Sequence, residues 1–184
     1  MQKLRITAVN VCRFVLAATF IFSGYVKAID PLGTLYKLKD YAAAMSLNGL
    51  LPDWALVGVA IALGALEFAL GVFMLFAVRR HVVSRITLAF MAAMTVLTLW
   101  IFVADPVKDC GCFGDALKLT NGETLLKNIV LSACAALVAW RPADMARFIS
   151  RTNQWIVRYY TITYIVVTSV YCLYTLPIFD FRPY

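Results

Sequence analysis

The sequence predicts an all-α, polytopic membrane bundle, a four-helix core with a fifth transmembrane helix. Three observations carry this. Hydrophobic residues make up 62% of the 184 positions and charged residues only 15%, and the mean hydropathy is +0.81, far outside soluble composition. The apolar residues gather in five runs, each near the about 20 residues that a helix needs to cross a hydrocarbon core. The basic residues, finally, alternate between the two sides that those runs define. A net charge of +7 therefore points to membrane topology, and no soluble basic domain is present to hold nucleic acid. The whole chain, residues 1–184, reads as one transmembrane domain.

The first span runs from Ile6 to Ile29. Lys3 and Arg5 resemble the start of a signal peptide, but Asn10 and Arg13 interrupt the apolar stretch, the run is long, and no clear small-x-small cleavage site follows, so it is read as a retained helix. An interfacial helix is expected over 34–47, where Leu35, Leu38, Ala42 and Met45 recur at helical spacing with Lys37, Lys39 and Asp40 on other faces. Pro31 and Pro52 bracket it, and Asn48-Gly49 is a breaker.

The second span is expected over 54–78, the third over 82–104, the fourth over 125–140 and the fifth over 155–176. The fourth has the shortest uninterrupted apolar part, with Thr120 or Asn121 as its cap and Glu123 in the first turn, where the helix dipole favours an acid. Trp54, Trp100, Trp140 and Trp155 fall near proposed helix ends, as in an interfacial aromatic belt. The tail "LPIFDFRPY" reads like the start of an outer domain, so a longer protein with this chain as its membrane part is one expectation.

With the N-terminus inside, ten Lys and Arg residues fall on the inner side and seven on the outer. The short connections "RRHVVSR" and "RPADMARFISR" weigh most in that comparison. Five crossings then place the C-terminus and the loop 105–119 outside, where disulfides persist. The expected location is a bacterial inner membrane, with that loop in the periplasm.

Three ionisable residues interrupt the spans: Arg13, Lys27 and Glu67. Arg13, Ala17, Phe20, Gly24 and Lys27 form one helical stripe, with about 21 Å of rise between its two charges. Gly64, Glu67 and Gly71 share a face of the second span, and small residues there permit close helix approach. Glu67 falls near the depth of Lys27, and a Lys27 and Glu67 ion pair is expected, with a snorkelling Lys27 and a protonated Glu67 as the alternative.

Of five cysteines, Cys12, Cys134 and Cys172 lie in hydrophobic helix sequence, where core packing is the default. Cys110 and Cys112 stand apart in "DPVKDCGCFGDALKL", one residue from each other in a polar loop. Three readings stand: a working dithiol, a structural staple, or half a metal site. The short ring departs easily from preferred disulfide geometry, which favours a reducible bond and exchange. Closing so small a ring removes little chain entropy, which weakens the staple. The only histidine, His81, falls on the inner side and weakens the metal reading, so no metal is expected. Asp109 and Asp115 oppose a thiolate by like charge while Lys108 favours it. Cys110 is the expected attacking thiol, because Cys112 adjoins Phe113 and Gly114.

Taken together, "FSGYVKAIDP", "LEFALGVFMLF" and "DCGCFGDALKLTNGETLLKN" resemble the DoxX and MauE superfamily of redox-associated membrane proteins, with the cysteine segment most like MauE. The matching positions are Gly24 and Lys27 in the first motif and Glu67 and Gly71 in the second. The third motif runs from Asp109 to Asn128 and contains, beside the cysteines, Asp109, Phe113, Gly114, Asp115 and Asn128, which are expected to be supporting residues. It covers most of the chain through the fourth span, and the fifth helix departs from the minimal pattern. It implies a small helical bundle tied to disulfide or quinone chemistry: MauE is associated with maturation of a disulfide-rich dehydrogenase subunit, DoxX-type proteins with quinone-dependent sulfur oxidation.

The resulting expectation is a membrane thiol-disulfide component in which Cys110 and Cys112 exchange with an extracytoplasmic thiol or disulfide protein. Electrons pass toward a quinone, and no cofactor is covalently bound. The rival is a non-enzymatic assembly subunit whose loop disulfide fixes a docking surface. A transporter, suggested by the buried charges, lacks the interrupted helices or repeat that would support it.

Overall fold

The computed structural model describes residues 2–44, 52–105 and 119–175. Within these the chain is helical: α1 (Gln2–Ile29), α2 (Pro31–Ala44), α3 (Asp53–Leu75), α4 (Arg80–Ala104), α5 (Asn121–Trp140) and α6 (Gln154–Thr175), with a single 3-10 turn at Pro142–Asp144. All but α2 are long and apolar enough to cross a membrane. The five spans fall where hydropathy places them, with ends that shift for identifiable reasons. The last residues expected in the interfacial helix, 45–47, and the tail after Thr175 lie outside the described residues.

Two starts move because side-chain caps extend the helices beyond their apolar parts. In α2, Asp30 Oδ1 accepts from the Gly33 amide at 3.0 Å, and Pro31 takes the first helical position, where its missing N–H costs nothing. The helix therefore begins at Pro31 instead of Thr34. In α5, Thr120 and Glu123 form a reciprocal capping box, so the helix opens at Asn121, four residues before the expected Leu125. Between α3 and α4 the turn is tight, with Ala77 and Arg79 at φ values of 52° and 40°. This shortens α3 to Leu75 and starts α4 at Arg80.

The core comprises α1, α3, α4 and α5. The closest packing is α1 on α3, followed by α4 on α5 and α1 on α5, while α6 packs more lightly on α1 and α3. Val9, Leu16, Phe20, Leu70, Met74, Met91, Leu131 and Val138 fill the centre. Leu99, Val103, Ile129, Val130 and Val167 point outward, as lipid-facing residues of a bundle do. Trp54, Trp140 and Trp155 are exposed near helix ends, the placement of an interfacial belt. The short α2 folds back against α3, and an ion pair of 2.9 Å joins Lys39 to Asp53.

Candidate functional site

The α1 and α3 axes approach through glycine. A Cβ on Gly71 would sit 2.6 Å from the Ile21 amide nitrogen, and one on Gly24 would collide with the backbone of Phe68. No larger residue fits either position without moving a helix. That contact brings opposite charges on the two helices together.

Lys27 Nζ lies 2.7 Å from Glu67 Oε2. Ser23, one turn earlier on α1, completes a triangle: its hydroxyl accepts from Lys27 at 2.7 Å and donates to Glu67 Oε2 at 2.6 Å. Lys27 is 2% exposed and Glu67 4%. Ions this far from water hold their charge only when paired and hydrogen bonded, and the triangle supplies both conditions. The pairing expected from the stripe on α1 and the small-residue face on α3 is present, and the snorkelling alternative is not.

The triangle forms part of the wall of a cavity of about 120 Å³. Apolar walls come from Phe20 on α1, from Phe90, Met91, Met94 and Leu97 on α4, and from Leu131 on α5. Thr34, Lys37 and Tyr41 on α2 and Lys127 and Asn128 on α5 also line it, although nearly all of its exposed surface is apolar. Asn128 is buried and its amide nitrogen donates to Thr98 Oγ1 at 3.2 Å. One turn along, Thr95 and Ser132 bond to each other at 2.7 Å. This polar ladder holds α5 against α4 and fixes the rotamer of Asn128 at the cavity.

At the end of the bundle nearest this cavity, α4 finishes on Asp105, which takes a left-handed conformation with φ of 43°. Asp105 Oδ1 accepts from Asn121 Nδ2 at 2.9 Å, so the two stems of the connection between α4 and α5 are tied directly to each other. Cys110, Cys112, Asp109, Phe113, Gly114 and Asp115 lie in that connection, outside the described residues.

Arg13 does not join this cluster. It is fully buried at the opposite end of the bundle, where it donates to the Ala146 carbonyl and lies over the rings of Phe14 and Phe148 at 4.6 and 5.2 Å. Asn10 grips the same segment twice, donating to the Asp144 carbonyl at 3.1 Å and accepting from the Ala146 amide at 2.9 Å. Arg80 reaches it from α4, donating to the Ala143 carbonyl at 2.7 Å. Arg13 thus serves to fasten the chain after α5, and shares a helical stripe but no site with Lys27.

The three helix cysteines, Cys12, Cys134 and Cys172, are free. Cys12 and Cys134 pack against the core, and Cys172 donates to the Ala28 carbonyl. Sequence reasoning missed Ser23, Thr34 and Thr98. Only Ser23 carried a legible signal, a hydroxyl one helical turn before an intramembrane lysine. Thr34 and Thr98 acquire their positions from tertiary packing.

No curated protein and no solved structure matches the chain. The family model described as methylamine utilisation protein MauE matches residues 5–141. This span takes in nearly all of α1, the whole of α2 to α5, the buried ion pair, the cavity and the cysteine connection, and it leaves α6 outside. On that match, which covers well over half of its length, the chain belongs to the MauE family of membrane proteins.

Proposed function

We propose that this chain is a membrane thiol-disulfide redox component. Cys110 and Cys112 cycle between disulfide and dithiol. A partner dithiol on the extracytoplasmic side attacks the disulfide, is itself oxidised to a disulfide, and leaves both cysteines reduced. The two thiols then give two electrons and two protons to a quinone in the bilayer, which becomes a quinol as the disulfide re-forms. The family's association with methylamine utilisation makes a protein of that process a reasonable partner class.

The observation that carries this reading is the relation between the cavity and the stems of the cysteine connection. Lys127 follows Asn121 by six residues, about 9 Å of helical rise, and Leu97 precedes Asp105 by eight, about 12 Å. A largely apolar cavity, with the Lys27 and Glu67 pair in its wall, thus lies within about two turns of the stems. This supports a dithiol that works next to a lipid-soluble partner; the distribution of Lys and Arg is what favours a cytoplasmic N-terminus and an outer connection.

The test is a redox titration of Cys110 and Cys112 in membranes, read by thiol alkylation with a membrane-impermeant reagent applied to sealed cells or spheroplasts. A working pair titrates in the range of periplasmic thiol couples and, with Cys112→Ser, traps a mixed disulfide through Cys110. A pair that resists mild reductants and traps no partner in either single variant would instead leave the assembly-subunit reading, with the bond as a staple.

A further inference from the structure

We propose that the cavity between α1, α2, α4 and α5 binds the ring of a lipid-soluble quinone, and that this head is monocyclic, of the benzoquinone class. The proposal rests on the redox reading above for the identity of the ligand, since regenerating a disulfide requires an acceptor of two electrons and two protons. The place and the ring size come from the cavity itself.

Size is the first constraint. An apolar protein cavity of about 150 Å³ accommodates benzene, and the space here is about 120 Å³. A single quinone ring already needs somewhat more than this volume, and a fused bicyclic head requires the walls to move further. The walls suit a flat ring: Phe20 and Phe90 meet edge to face at 5.4 Å, and Met91 and Met94 add polarizable sulfur.

The polar groups suit carbonyl oxygens. Thr34 is 4% exposed, lines the cavity, and its hydroxyl has no hydrogen-bond partner among the described residues. A buried hydroxyl left in this way is destabilising, and a rotation about χ1 that brings it to the cavity wall lets an acceptor oxygen there relieve it. Lys27 is neutralised locally by Glu67, so this wall does not demand an anion. Lys37 and Lys127 are also among the lining residues.

A course for the tail follows from the packing. Among the described residues α2 packs on α3 and on α1 without comparable contact to α4 or α5, yet α1, α2, α4 and α5 all contribute to the lining. We place the apolar tail along the seam between α2 and the α4 and α5 pair, one of the lightly packed sides of the cavity among the described residues.

The experiment uses the full chain reconstituted in vesicles and a benzoquinone carrying a ten-carbon tail, with binding measured at equilibrium. Saturable binding is expected, with a naphthoquinone of equal tail binding more weakly. Thr34→Val should weaken binding about three- to tenfold, the value of one neutral hydrogen bond. Met94→Trp, which fills the space, should remove saturable binding, and Leu97→Phe provides a second, smaller filling change if the first disturbs folding. Absence of saturable binding to the unaltered chain, equal affinity in both filled variants, or equal affinity for the bicyclic head overturns the proposal. The Cys110→Ser/Cys112→Ser protein should bind the quinone as the unaltered chain does. Binding there, with no thiol exchange in the unaltered chain, retains the site and removes the redox reading; exchange without cavity-dependent binding does the reverse.

Discussion

Lys27 Nζ sits 2.7 Å from Glu67 Oε2, at a point where both side chains are nearly sealed from solvent. Attraction at this distance is strong in a medium of low polarity, but so is the cost of leaving either partner alone. Glu67→Leu should therefore destabilise the protein by about 3–5 kcal/mol, because Lys27 remains buried without its counter-ion. The Lys27→Met/Glu67→Leu pair should recover most of that loss. Thermal unfolding in detergent, arranged as a double-mutant cycle, measures both, and additive losses would show that the pair is not coupled.

The glycine contacts make a sharper contrast. Gly24→Leu places a side chain against the backbone of Phe68 and should abolish the folded state or separate α1 from α3. Gly58→Ala, on the same α3 helix as Phe68, meets nothing within 4 Å. There the alanine should be neutral or should stabilise by up to about 1 kcal/mol through helix propensity. Comparable melting temperatures for the two variants would contradict the close approach of α1 and α3.

Asn10 makes the two-pronged grip on the segment after α5. Asn10→Ala removes one donor and one acceptor and leaves the Ala146 amide and the Asp144 carbonyl to find other partners, a cost of about 1–3 kcal/mol. Hydrogen exchange at the Ala146 amide should accelerate, while exchange in the centre of α3 is unchanged. Equal acceleration in both places would mean global unfolding and not the release of a local clasp.

At the start of α5, Thr120→Ala removes the side chain that caps the Glu123 amide and should cost about 1 kcal/mol, with Thr120→Ser retaining most of the stability. Thermal unfolding distinguishes them, and a Ser variant as unstable as Ala would argue against the capping box.

The helix count and the pairing of α1 with α3 were legible in the sequence because both rest on local pattern. Five apolar runs define five spans, and Gly64, Glu67 and Gly71 on one face announce a close neighbour bearing a cation. The starts of α2 and α5 were less legible, because Asp30 and Thr120 carry polar first turns into helices whose apolar parts begin later. Arg13 illustrates a deeper limit. Its position on the stripe of Lys27 is sequence information, but its partner is the backbone carbonyl of Ala146, far along the chain, and a carbonyl has no residue type to search for. The cavity is the same kind of feature, since residues of α1 to α5 line it together and no one helix encodes a gap.

The hydrogen bond from Asn121 to Asp105 joins the two ends between which the connection is strung. With the stems already joined, much of the entropic cost of closing a loop between α4 and α5 is met by the helices themselves, and added length costs only in proportion to its logarithm. The bundle is therefore a socket: it holds its own two stems together at Asp105 and Asn121, so the ends of the connection are set by the helices.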